Sequence, residues 1–119
     1  MNHNQSGKLA ELLAAMYFIV HGFWVVRRNF ITGRGTGAGE IDLIVRRGKL
    51  LVFVEVKKRG DLERAAYAIA PEQQRRIWRA AENFIKNNPQ YSDYNLRFDA
   101  FLVGKRLRCS HISDAWRCE

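Results

Sequence analysis

The chain has 119 residues, 47% of them apolar, and its 20 Lys and Arg outweigh 12 Asp and Glu for a net charge of +8. That describes one domain over residues 1–119 with enough apolar mass for a real core, and the basic balance points to a polyanion partner, most simply nucleic acid. The longest apolar run, Leu12 to Val20, is nine residues, far short of the ~20 that span a bilayer, so no membrane partner is expected.

That run also lacks the basic leader and small-residue cleavage site of a secretion signal, which places the expected location in the cytoplasm. In that compartment Cys109 and Cys118 are expected to be free thiols. His3, His21 and His111 have no metal-ligand spacing.

Residues 1–6 are polar and expected to lie outside the ordered core. From Gly7 to about His21 the pattern reads as a helix, with Gly22 as its C-terminal cap. Its middle is apolar almost all round, the pattern of a buried helix. Glu11 is its one acid. It either faces solvent, where it complements the helix dipole, or reaches an internal site.

Phe23 to Phe30 reads as a strand ending in Arg27-Arg28-Asn29. The loop over 31–39 carries Gly33, Gly35, Gly37 and Gly39. Backbone N–H groups there could cradle a phosphate, although the Gly-Lys-Ser/Thr ending of a nucleotide loop is missing. The loop could equally gate a site beside Glu40.

The stretch from Glu40 to Lys57 reads as two strands joined by a tight turn at Gly48. Both strands are nearly all apolar, yet Glu40, Asp42, Glu55 and Lys57 interrupt them. Unpaired charges inside buried strands cost several kcal/mol each, so these four are either compensated or functional. Strand side chains alternate between faces. A two-residue turn would make paired residue numbers sum to 95 or 97. Either register puts Glu40 and Asp42 on the face of Glu55 and Lys57; a three-residue loop would separate them. Clustered carboxylates cannot all ionise without a cation. Hard oxygen ligands favour Mg²⁺ or Mn²⁺. Such an ion polarises a phosphoryl oxygen and activates water, and a neighbouring lysine can orient that water or neutralise developing charge. The set is the layout of a phosphodiester hydrolase.

Lys58 alternates away from the site face, and Arg59 and Arg64 are candidates for contacts to a nucleic-acid backbone. Pro71 to Asn87 reads as a second helix, with Pro71 in the first turn and Ile77, Ala80, Ala81, Phe84 and Ile85 on one face. Arg75, Arg76 and Arg79 occupy another face, which is either solvated or turned toward phosphates. Trp78 reads as partial core more readily than as a base-stacking platform. Asn95 to Val103 is a strand in which Asp99 is expected to be structural. Lys105, Arg106 and Arg108 cluster near a turn, and His111 to Trp116 is either an edge strand or a tail. The whole is an α/β domain with a mixed β-sheet flanked by helices.

Asp42 followed by Glu55-Val56-Lys57 resembles the acid…(D/E)-x-K pattern of the restriction-endonuclease-like nucleases. The longer pattern includes Glu11, Arg28-Asn29, Gly39-Glu40-Ile41-Asp42-Leu43-Ile44, Val52-Phe53-Val54-Glu55-Val56-Lys57-Lys58-Arg59 and Arg97-Phe98-Asp99. It resembles the YraN family of small bacterial proteins, similar in fold to Holliday-junction resolvases. The resemblance covers roughly residues 7–103. It implies a restriction-endonuclease-like core and a metal-dependent nuclease acting on structured or branched DNA. Asp42, Glu55, Lys57 and Glu11 would be catalytic, with Asp42, Glu55 and Glu40 toward Mg²⁺ or Mn²⁺. Arg28, Arg59, Arg75, Arg76 and Arg79 would hold nucleic acid. It also allows a homodimer, because junction resolvases work as two-fold pairs. The chain departs from the pattern in its long glycine-rich segment and in Gln73, where the family often has a lysine. The rival reading is a catalytically weak nucleic-acid-binding module on the same fold.

Overall fold

A computed structural model describes residues 3–32, 39–58 and 69–117, with the side chains of 3–6 left aside. Arg59 and Arg64, Cys118 and the loop glycines Gly33, Gly35 and Gly37 fall outside the described residues. The order is α1 (His3–Val20), β1 (Trp24–Ile31), β2 (Glu40–Arg47), β3 (Leu50–Lys58), α2 (Pro71–Asn87), β4 (Asn95–Val103) and β5 (Cys109–Trp116). The five strands form one sheet in the order β1-β2-β3-β4-β5. Only the β3–β4 pair is parallel, and α2 supplies the crossover that a parallel pair requires. The chain is therefore a single α/β domain with a mixed sheet and helices on both faces, consistent with a restriction-endonuclease-like fold.

The β2–β3 hairpin adopts the second of the two expected registers. Leu43 pairs with Val54 and Arg47 with Leu50, so paired numbers sum to 97. The two-residue turn is Gly48-Lys49, and Gly48 adopts φ +60°, a conformation that costs a residue with a Cβ.

The two sheet faces bury different clusters. On the α1 side, Ala10, Ala14, Ala15 and Phe18 pack on Leu43, Val45, Val52, Val54, Phe101 and Val103. The small alanines let the helix backbone approach the sheet. On the α2 side, Ile77, Ala80, Ala81 and Phe84 pack on Ile41, Ile44, Leu51, Phe53, Phe98 and Ala100.

Helix α1 corrects one expectation. It is buried along one face, while Leu12, Met16, Ile19 and Val20 stay exposed beside Trp24. Among the described residues nothing packs on that outer face. The helix ends as predicted at Gly22, which takes φ +87°. The Phe23 N–H donates to the Phe18 carbonyl and the Gly22 N–H to that of Ile19, the pair of bonds in a Schellman cap. No described helix is long and apolar enough to cross a membrane.

Candidate metal centre

Three elements, α1, β2 and β3, bring the predicted acids to one end of the sheet. The β3 alternation puts Leu51 and Phe53 on the α2 face, so Glu55 and Lys57 share that face. Helix α2 covers it from above, and the Gln73 side-chain amide donates to Glu55 Oε2 at 3.2 Å. Glu55 is only 6% exposed and with Asp99 is one of two buried charged residues among those described. Lys57 Nζ lies 3.9 Å from Glu55 Oε1, with its side chain 22% exposed.

Asp42 lies on the face of Glu55 by ordinary alternation, and β2 becomes irregular just beyond it. Leu43 and Val45 belong to the α1 cluster and Ile44 to the α2 cluster, as alternation demands. Strict alternation would then return Ile41 to the α1 side, but Ile41 packs with the α2 cluster. The pleat therefore slips by one residue at Asp42. Across the strand pair, Asn29 takes φ 53° between the pairs Arg28–Leu43 and Phe30–Ile41. Asp42 Oδ2 accepts the Val56 backbone N–H at 2.8 Å, so the side chain occupies the place of a ladder bond and is anchored to β3.

Continuing the register sets Asp42 opposite Glu55, and the two carboxyls are close enough to hydrogen-bond each other. Burial first, and then the Glu55 charge, push the Asp42 carboxyl up to about 8; the Val56 N–H and the Lys57 ammonium oppose the shift. Near neutral pH the pair therefore keeps a proton in place of a second negative charge.

Two further acids lie at the margin. The Glu11 carboxyl is raised by burial and then by the Asp42 charge, against the lowering effects of an Asn29 hydrogen bond and of Arg28 and Lys8. The exposed Glu40 is raised by burial, then by Asp42, then by Glu11. These couplings put Glu11, Glu40 and Asp42 within one electrostatic neighbourhood. The helix-1 acid thus faces the internal cluster and not solvent alone.

Among the described residues no group of three or more His, Cys, Asp or Glu converges into a ready-made cage. The arrangement is a close pair, Asp42 and Glu55, with Glu11 and Glu40 outside it. That donor set suits Mg²⁺, which is commonly held by one or two carboxylates with the remaining positions left to water and phosphate oxygens. Asp42 and Glu55 would hold such an ion, and its charge would take the place of the shared proton.

The predicted nucleic-acid contacts divide. Arg28 sits on β1 close enough to act on Glu11. Arg76 binds Glu72 Oε1 at 3.0 Å, and its carbonyl accepts the Gly39 N–H at 3.0 Å. A Cβ on Gly39 would lie 3.1 Å from that of Arg76, so glycine there lets the start of β2 rest against α2. Arg75 and Arg79 lie elsewhere on α2, along a surface groove.

Two site residues carry more than their sequence pattern suggested. Gln73 is a direct partner of Glu55 and Asn29 of Glu11. The first-turn position of Gln73 on α2 was the available signal. For Asn29 the signal was its place beside Arg28 in the longer pattern, which names the residue but not its conformation at φ 53°.

Asp99 is structural, as predicted. It is fully buried and receives a bidentate Arg97 pair at 2.8 and 2.9 Å. Its Oδ2 meets His111 Nε2 at 2.7 Å, and Oδ1 accepts the Asp114 N–H at 2.9 Å. Burial alone would raise its carboxyl, but the hydrogen bonds from His111, Arg97 and Asp114 win and hold it below the usual value.

A model of the uncharacterised protein family UPF0102 matches residues 10–103, which contain every candidate site residue. The chain is 43% identical to a UPF0102 protein of Paramagnetospirillum magneticum, over 95% of this chain and 88% of that one. It is 46% identical to one of Parvibaculum lavamentivorans, over 93% and 80%. A Bradyrhizobium diazoefficiens relative is 38% identical over 94% and 81%. By this likeness along nearly its whole length, the chain belongs to the UPF0102 family, the YraN family its motifs resembled.

Proposed function

We propose that this protein is a metal-dependent nuclease that hydrolyses phosphodiester bonds in nucleic acid, most simply structured or branched DNA. The observation that carries the reading is the Asp42–Glu55 pair: two carboxyls set opposite each other within a sheet, Glu55 buried and Asp42 anchored on the Val56 N–H, with Lys57 beside them. A purely structural cluster would gain nothing from opposing two acids, because each buried charge adds to the other's cost. A divalent cation bound there supplies Lewis-acid polarisation of a phosphoryl oxygen and a bound water of lowered pKa.

The chain's own residues do the rest. Asp42 and Glu55 would hold the ion, which would leave its remaining positions to water and a phosphate oxygen. Lys57 donates hydrogen bonds from Nζ to the attacking water or to the phosphoryl oxygens as their charge grows. Gln73 holds Glu55 in its rotamer. Glu11, its carboxyl raised by burial and by the Asp42 charge, is placed to accept a proton from water at the margin of the pair. The +8 chain attracts the phosphate backbone without reading bases.

The same reading includes a homodimer. The exposed stripe of Leu12, Met16, Ile19, Val20 and Trp24 contains no charge, so a second copy could be laid against it without bringing like charges together at its centre. Sedimentation at micromolar concentration reads this directly, and a monomer that persists there removes the dimer but not the site.

The function is tested by melting the wild type and Asp42→Asn in EDTA and in Mn²⁺. Cation binding raises the wild-type melting temperature by mass action and leaves the variant unmoved. A wild type that melts alike in EDTA and in Mn²⁺ contradicts the cation and leaves the binding module.

A further inference from the structure

Helix α2 has a third face that the candidate centre does not use and that meets the core only through Trp78. Pro71, Gln74, Arg75, Trp78, Arg79 and Glu82 follow one another at helical three- and four-residue spacing and line a groove of about 590 Å³. A second cavity of about 470 Å³ adjoins it, sharing Trp78 and Arg117. Its apolar lining includes Leu50, Leu96, Phe98 and Trp116. The groove starts in the first turn of α2, next to the Gln73 that touches Glu55. From Pro71 to Glu82 it extends ~16 Å along the helix at 1.5 Å per residue.

Its chemistry is mixed in a telling way. Arg75, Arg79, Arg97 and Arg117 border the two cavities against only Asp114 and Glu82. Arg97 is committed to Asp99, and Arg117 pairs with Asp114 at 2.8 Å. Arg75 has no ion pair among the described residues. Between the arginines sits Trp78, half-buried, with one side braced by Phe98 at 5.8 Å between ring centroids and the rest lining both cavities. Trp116 stacks on the same Phe98, and its Nε1 is buried with no hydrogen-bond partner among the described residues.

A duplex offers a protein its phosphates and groove edges, and its base faces are stacked away. An aromatic and apolar floor would find nothing to hold there. A single strand offers phosphates and base faces together, and aromatic platforms flanked by arginine are how proteins hold it. We infer that the α2 groove binds a single-stranded segment of the nucleic acid, contiguous with the phosphate at the Asp42–Glu55 centre, by stacking a base on Trp78. The inference rests on the nucleic-acid reading above and narrows it. The substrate has an unpaired stretch next to the position cut, as at a flap, an overhang or an opened junction.

The experiment uses full-length protein carrying Lys57→Ala, so that nothing is cut, and measures equilibrium binding to three labelled ligands. These are a blunt duplex, the same duplex with a single-stranded extension, and that duplex with an abasic extension of equal charge. The extension should tighten binding at least about fivefold, which one base–aromatic stack supplies. The abasic extension should give only a small gain from its phosphates. Trp78→Ala should remove the base-dependent gain, Trp78→Phe should keep most of it, and both should leave blunt-duplex affinity unchanged, which also shows the variants are folded. An abasic extension that binds as tightly as the normal one, or a gain that survives Trp78→Ala, overturns the groove while leaving the centre untouched. No affinity for any of the three overturns the groove together with the nucleic-acid reading. Cleavage of blunt duplex by unmodified protein is a separate readout, so a failed groove and a failed nuclease are told apart.

Discussion

Asp42 is raised from its ordinary 3.8 to about 8, by burial and then by Glu55. A carboxyl raised on folding binds its proton more tightly in the folded state. Its stabilising contribution is full below the unfolded value and is lost as pH rises through the folded one. The window therefore runs from about pH 4 to about pH 8. In EDTA, wild type should lose stability relative to Asp42→Asn across that window. The amide keeps an oxygen for the Val56 N–H and carries no charge to repel Glu55, so the variant should also melt higher at pH 8. Thermal melts of both proteins at pH 5 and pH 8.5 check this, and subtracting one from the other cancels the titrations of groups that do not feel Asp42. Parallel curves would mean that Asp42 and Glu55 do not share a buried environment. Much of this residue-scale picture was legible beforehand. With side chains alternating strictly along strands, a two-residue turn allowed only two pairings for Asp42 and Glu55, and both put them on one face. The slip at Asp42 was not legible, because it depends on Asn29 adopting a positive φ on the opposite strand.

At the scale of elements, three segments far apart in sequence are tied by one buried carboxylate. Asp99 on β4 binds Arg97 two residues before it and His111 on β5, and the His111 ring continues to the Tyr17 hydroxyl on α1 at 3.0 Å. The β4–β5 register shifts between Phe98 and Ala100. Asp114, at φ 54°, turns its N–H into the gap to complete the carboxylate's partners. Arg97→Ala should cost on the order of 2–3 kcal/mol in urea denaturation. That is below the usual cost of breaking a buried pair, because His111 and the Asp114 N–H remain. A change under about 0.5 kcal/mol, the ordinary surface effect, would mean the pair contributes nothing. Element boundaries followed local chemistry closely. Pro71 opens α2 and Asn88-Pro89 closes it as read from the chain, and β4 spans Asn95–Val103. The Tyr17–His111–Asp99 chain escaped notice because its members lie up to 94 positions apart and no local pattern links them. The exposed flank of α1 escaped for a related reason: an apolar circumference shows that a helix can be buried, not how many neighbours bury it.

For the whole molecule the governing quantity is the +8 charge. If it serves to hold phosphates, nucleic-acid affinity must fall steeply with salt as counterions are released. Arg75 and Arg76 lie at the α2 end nearest Glu55, so Arg75→Gln with Arg76→Gln should weaken binding across sequences alike. The pair should lower the log–log salt slope by about one to two units. Binding isotherms at a series of salt concentrations give that slope, and an unchanged slope would place the backbone contacts elsewhere.

The central claim is that the Asp42–Glu55 pair and Lys57 cut nucleic acid with a divalent cation. The direct measurement is cleavage of labelled duplex, single strand, flap, four-way junction and structured RNA by wild type and Lys57→Ala, in Mg²⁺, in Mn²⁺ and in EDTA. The account predicts cutting of at least one substrate, strongest where an unpaired stretch adjoins a duplex, abolished by EDTA and by Lys57→Ala while binding persists. Cleavage that survives Lys57→Ala, or the absence of any cation-dependent product across the panel, would contradict it.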